Sequence, residues 1–190
     1  MTLHITQFDG GNAISAFRAQ QLLSALEAIH PKITSISARF VHLVATEEGA
    51  VPALQERLSA LLTYGDPFEG SADGVPFIVT PRMGTISPWA SKATDIARNC
   101  GLDVFRVERI TEYRVDLKTG LLGGKPELSA EQTAQIAALL HDRMTESVFA
   151  TRAEAIDDWS PEDVARLQRH LDERRAEELS KDGGEETVDG

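Results

Sequence analysis

The sequence holds a single cysteine, Cys100, among 190 residues, so no internal disulfide can form. Basic side chains are scarce as well. Against 30 Asp and Glu stand only 19 Lys and Arg, a net charge of -11 that opposes a sequence-independent grip on nucleic acid. Apolar runs are short, and none approaches the roughly 20 residues needed to cross a bilayer. There is no basic then apolar leader before the first strand-like segment, which with the lone cysteine makes the cytoplasm the expected compartment. The five histidines, His4, His30, His42, His141 and His170, show neither HxH nor HExxH spacing, and no GxxxxGK or GxGxxG loop is present. Metal and nucleotide chemistry therefore lack their usual sequence frames.

What the chain does have is 42% hydrophobic residues, enough to bury a core. Acidity is concentrated at one end: residues 1–152 carry 14 basic and 17 acidic side chains, and residues 153–190 carry 5 and 13. Leu3 to Phe8 reads as a short strand stopped by a turn at Asp9-Gly10-Gly11-Asn12. Ile14, Phe17, Leu22, Leu26 and Ile29 share a helix face that His30-Pro31 closes. Ile33 to Thr46 reads as extended, with Arg39 as a bend or hairpin, and a second helix is expected from about Val51 to Leu62.

After a Gly- and Pro-bearing loop the order restarts: strand Val75 to Thr80, helix Pro88 to Asn99, extended Asp103 to Leu117, helix Ser129 to Leu140. Leu3 and Val75, Ser15 and Ser87, and Ile33 and Phe105 are each 72 positions apart. The expected fold class is α+β: a duplicated strand-helix-strand-helix unit around a pseudo-twofold axis, plus a C-terminal helix. That last helix should start at Ser160-Pro161-Glu162-Asp163, with Ser160 as N-cap and a narrow stripe of Val164, Leu167 and Leu171 lying on the body or on a partner. Residues 1–150 are read as one domain, 151–182 as a helical extension or linker, and 183–190 as a disordered acidic tail.

Candidate chemistry is sparse. His4 and His42 fall in strands and read as core or edge residues. Cys100 sits at a helix end before Gly101, where the helix dipole opposes a thiolate, and is expected to be a buried packing thiol. Gly84-Thr85-Ile86-Ser87-Pro88 precedes a helix and offers a possible anion site, but Ser87 as N-cap and Pro88 at the first position explain these residues without a ligand. Trp89, beside Arg82 and Lys92, suits a core or domain-interface anchor. Glu47-Glu48 and Glu185-Glu186 read as solvated charge.

Residues 81 to 102 run Pro-Arg-Met-Gly-Thr-Ile-Ser-Pro-Trp-Ala-Ser-Lys-Ala-Thr-Asp-Ile-Ala-Arg-Asn-Cys-Gly-Leu, with Val107-Glu108-Arg109 and His141-Asp142-Arg143-Met144-Thr145-Glu146-Ser147-Val148 beyond. This closely resembles the N-terminal domain of large-type phosphoribosylformylglycinamidine synthase over about residues 1 to 150. Met83 and Arg98 stand where that pattern more often has Pro and His. The family converts formylglycinamide ribonucleotide, ATP and glutamine into the amidine in purine biosynthesis. The resemblance implies a structural domain related to a dimer of the small subunit of split versions of the enzyme, helping to join the synthetase and glutaminase regions through which ammonia is channelled.

The family's catalytic groups have no counterpart here, so no catalytic residue is carried over. No cofactor is expected on this chain, ATP and Mg²⁺ belonging to the complete ligase. The expected partners are the synthetase and glutaminase domains, with no nucleic acid and no membrane. Arg82, Thr85, Ser87, Trp89 and Lys92 are the candidate structural or domain-interface residues. The rival readings are a stand-alone adaptor that binds another protein and an anion-binding enzyme using Thr85 and Ser87.

Overall fold

Two serines set the frame. Ser15 and Ser87 each accept a backbone N–H three residues on, from Arg18 and from Ala90, and so start two helices 72 positions apart. The structure, a computed structural model, describes residues 3–47, 51–82, 84–124 and 126–183. Its elements run β1 (His4–Asn12), α1 (Ala16–Ile29), β2 (Ile33–Thr46), α2 (Pro52–Leu61), β3 (Val75–Pro81), α3 (Pro88–Asn99), β4 (Arg106–Leu117), α4 (Ala130–Leu140), β5 (Glu146–Phe149), α5 (Arg152–Asp158) and α6 (Pro161–Asp182). The expected α+β order of strand, helix, strand and helix is thus followed twice.

One five-stranded sheet holds both copies, in the order β1-β2-β4-β3-β5 with every neighbouring pair antiparallel. At its centre β2 pairs with β4, so the two copies join strand to strand. Ile36 faces Val115 in this pairing, and Val44 faces Val107. The pair Ile36–Val115 packs with Leu22 and Leu26 of α1 and Ile136 and Leu140 of α4. Val44 and Val107 pack with Leu58 of α2 and Ala97 of α3, together with Leu62. Each half of this core therefore takes one helix from each copy, and neither copy can close its apolar face alone.

The packing also corrects the spacing. Ile36 and Val107 are equivalent, as are Val44 and Val115, and both pairs are 71 apart where the helix caps are 72 apart. A strand's side chains alternate faces, so a 72-residue offset would have placed equivalent strand residues on opposite sides of the sheet.

The opposite face is covered by the C-terminal elements. Val41, Leu43, Ile78 and Ile110 meet Ala155, Ile156 and Trp159 of the α5 region, while Leu3 and Ala45 meet Val164 and Ala165 of α6. The first half of α6 therefore lies on the body, and residues 172–183 are exposed.

Several local expectations change. Asp9 to Asn12 is strand with an irregular register, not a free turn. Gly10 is required there because a Cβ would come within 2.6 Å of the His42 ring and 2.9 Å of the Phe40 carbonyl. Arg39 lies in continuous β2 opposite Glu112 instead of at a bend. Ser160 holds the N-cap position of α6, but its side chain makes no cap bond. Of the expected acidic tail, Gly183 caps α6 and residues 184–190 lie outside the described residues. No helix among the described residues is long and apolar enough to cross a membrane.

Candidate functional site

The segment from Pro81 to Leu102 turns off the end of β3 and feeds α3. Arg82 is exposed; its backbone N–H donates to Thr145 and its Nε to the Glu146 carbonyl, at 2.9 and 3.3 Å. Thr85 is half-buried, with its N–H committed to the Arg82 carbonyl at 2.9 Å. The Ser87 hydroxyl is likewise committed, accepting from Ala90 at 3.3 Å. These groups serve the turn and the cap. Ser87→Ala is expected to cost about 1 kcal/mol, measured by urea unfolding, and an unchanged midpoint would remove the capping role.

Trp89 stands on the first turn of α3 and faces β2 and β4. Its ring lies 5.6 Å from His42 and 6.3 Å from Tyr64, centroid to centroid. The Arg109 guanidinium stacks over Trp89 at 4.4 Å and over Phe40 at 4.0 Å. Tyr64 joins them through its hydroxyl, 2.9 Å from His42 Nε2 and 3.2 Å from Arg109 Nη1. Sequence proximity suggested Arg82 and Lys92 as the indole's cationic neighbours, yet Arg109 from β4 takes that place. Lys92 is exposed and lines, with Leu61, Leu62, Tyr64, Trp89 and Ile96, an open groove of about 380 Å³ between α2 and α3.

His42 is fully buried. Burial lowers its pKa from 6.5 to about 4, with the backbone at Phe8 opposing and the Arg109 charge adding to the fall. It is neutral at pH 7. The unfolded chain takes up a proton near 6.5 that the folded chain refuses, so stability falls as pH drops from about 6.5 towards 4. His42→Gln is expected to flatten that part of the stability profile in denaturant titrations at several pH values. An unaltered slope would show that another group carries it.

The other face of β4 holds charges that the sequence reading passed over. Arg106 is 1% exposed; its Nη1 donates to Gln168 of α6 at 3.0 Å, and its Nη2 lies 3.9 Å from a Glu108 oxygen. Glu108 is buried too, and its second oxygen accepts the Arg109 N–H at 2.8 Å. Burial drives the Glu108 carboxyl above its ordinary range and the Arg106 guanidinium below its own, their mutual attraction opposing both shifts. Further along, Arg152 and Arg114 bond Glu112 and hold its carboxyl below the usual range against the effect of burial. Arg152 also reaches Asp9 at 2.7 Å, tying α5 to β1. The signal for this network was present in the alternation of Arg106, Glu108, Glu112 and Arg114 on one side of a strand.

Between the Arg82–Thr85 turn and Trp159 lies a cavity of about 20 Å³, lined by Thr80, Arg106 and Glu108. That is room for one water-sized group and far too little for a nucleotide. Cys100 is exposed, contrary to expectation, because it caps α3 on the solvent side as the chain turns through Gly101 at φ +78°. Of the histidines, His42 is core and His4 lies exposed on the outer strand β1. Among the described residues no group of three or more His, Cys, Asp or Glu is placed to hold a metal ion.

Fold and site together define a duplicated α+β domain, stapled on one sheet face by an aromatic–guanidinium cluster and on the other by ion pairs. Within that class the chain belongs to the family of formylglycinamide ribonucleotide amidotransferase N-terminal domains, whose family model matches residues 39–159. The match opens inside β2, takes in the whole second copy and closes at Trp159, so it spans His42, Tyr64, Trp89, Arg109 and the Arg106–Glu108 pair. The enzyme concerned acts in purine biosynthesis.

Proposed function

We propose that this chain is an organising module of the amidotransferase: it holds the synthetase and glutaminase regions in register and performs no step of the chemistry itself. The observation that carries this reading is how completely the family's signature segment is engaged in holding the domain together. Thr85 closes a turn, Ser87 caps a helix and Trp89 fills a pocket with His42 and Arg109. Nucleophilic catalysis at Cys100 would need an electropositive setting, whereas the thiol stands at a helix C-terminus, where the dipole disfavours its anion. Arg82, Ile86, Lys92 and Ile96 are among the exposed side chains of this segment, open to a neighbouring domain.

The test mixes the purified chain with formylglycinamide ribonucleotide, ATP, Mg²⁺ and either glutamine or ammonia, and measures ADP and glutamate. The expected result is no turnover, together with binding to the synthetase and glutaminase regions of a family enzyme. Turnover abolished by Cys100→Ser overturns the proposal. Capture of neither region leaves the adaptor reading in its place.

A further inference from the structure

Buried polar atoms converge on one place in the fold. Among the described residues seven buried side-chain nitrogen or oxygen atoms have no hydrogen-bond partner, and three of them, Thr80 Oγ1, Arg106 Nε and Arg106 Nη2, belong to two residues that line the same small cavity. Native folds supply such atoms with a partner, because a bare buried donor forfeits the hydration it had in the unfolded chain. Arg106 is the more demanding of the two. Its side chain is 1% exposed, and Nε and Nη2 are neighbouring donors on one edge of the planar guanidinium, while Nη1 is taken by Gln168 Oε1 at 3.0 Å. Glu108 does not satisfy that edge. Its Oε2 stands 3.9 Å from Nη2, beyond direct hydrogen-bond reach, and its other oxygen accepts the Arg109 N–H.

Volume and charge select the missing partner. The cavity holds about 20 Å³, above the roughly 10–15 Å³ that one water needs and too little for a polyatomic ion. Its lining carries both signs, with Arg106 set against Glu108 and Asp158, so an anion meets carboxylates and a cation meets a guanidinium. What fits is small, neutral, and able to accept from a guanidinium while donating to a carboxylate. Water does both.

We infer that one structural water occupies this cavity, accepting from the Nε–Nη2 edge of Arg106, bonded to the Thr80 hydroxyl and donating to Glu108. The consequence reaches the segment from Pro81 to Leu102. Gln168 Nε2 donates to Asp172 at 2.9 Å, and Asp172 in turn accepts from Arg98 Nη1 at 3.1 Å. With the water in place, a continuous polar chain runs from Thr80 through Arg106, Gln168 and Asp172 to Arg98. Thr80 stands immediately before that segment and Arg98 near its end, so the chain clasps both ends by way of β4 and α6. The site is a property of the fold and holds whether or not the organising role does.

The test combines a crystal structure of the full chain, at a resolution that shows ordered solvent, with oxygen-17 magnetic relaxation dispersion, which counts waters held long enough to tumble with the protein. Wild type is expected to show a solvent peak within hydrogen-bond distance of the Arg106 edge, Thr80 Oγ1 and Glu108. Thr80→Val keeps the side-chain shape but removes the hydroxyl, and it is expected to lose one long-lived water from the relaxation count; Thr80→Ser should retain it. A dry cavity in wild type overturns the inference, and so does a count that Thr80→Val leaves unchanged. Crystals soaked in bromide test for an ionic occupant. An anomalous peak against Arg106 overturns water in favour of an anion, whereas an unaltered solvent peak supports it.

Discussion

Arg106→Met is expected to destabilise the folded chain by about 3–5 kcal/mol, the usual result of removing one partner from a buried ion pair. Methionine can follow the path of the arginine stem, so little volume is lost and the effect is electrostatic. The carboxylate of Glu108 would keep the Arg109 N–H but lose the guanidinium that offsets its burial. The sign of the pH dependence follows from this. Glu108 already has a folded-state pKa above its ordinary 4.5, so its ionised burial costs stability above that value and the cost disappears as pH falls below it. Removing Arg106 raises the folded pKa further. The difference between variant and wild type should therefore be largest near neutrality and shrink on acidification. Adding Glu108→Leu should recover much of the loss at pH 7, because an apolar pair of similar volume carries no uncompensated charge. Urea unfolding of the two variants beside wild type measures each quantity. A loss below about 1 kcal/mol at neutral pH would mean that water reaches the pair and that the carboxylate is not truly buried.

The same pair illustrates what the sequence does and does not disclose. Periodicity placed β2 and α3 at their observed bounds, because long runs with one period and clear caps leave few alternatives. It also revealed the duplication, through repeated order and the capping serines. β5 went unseen, and α5 was read only as part of a helical extension over 151–182 and not as a separate helix. The four residues of β5 pair only with β3, and the seven of α5 are too few for a helical period to stand out. Neither has a counterpart in the first copy. Trp89 was legible as an anchor, but its partners come from three other elements, and only pairing in the fold brings Arg109 across to it. The leap from Asp9-Gly10-Gly11-Asn12 to a turn failed for an instructive reason: Gly10 answers to the close approach of His42, a tertiary demand that resembles turn chemistry in sequence.

Trp89→Ala is expected to cost about 3 kcal/mol or more, since the indole packs with the α2–α3 core and closes one side of the His42 pocket. Its removal also takes one of two aromatic faces from Arg109 and opens His42 to water. The histidine pKa should then rise from about 4 towards its ordinary 6.5, so the variant should lose less stability than wild type as pH falls through that range. Trp89→Phe keeps an aromatic face and should retain much of the stability. The duplication supplies a control within the same molecule. Phe17, 72 positions earlier, occupies the corresponding place on α1 yet is 71% exposed, so Phe17→Ala should change stability by less than about 0.5 kcal/mol. A large loss at Trp89 beside a small one at Phe17, with His42 titrating upward only in the former, would show that the second copy's helix start is the site where this fold concentrates its aromatic packing. Comparable losses at the two positions would mean that the pseudo-symmetric helix starts are energetically alike and that the cluster has no special role in holding the domain.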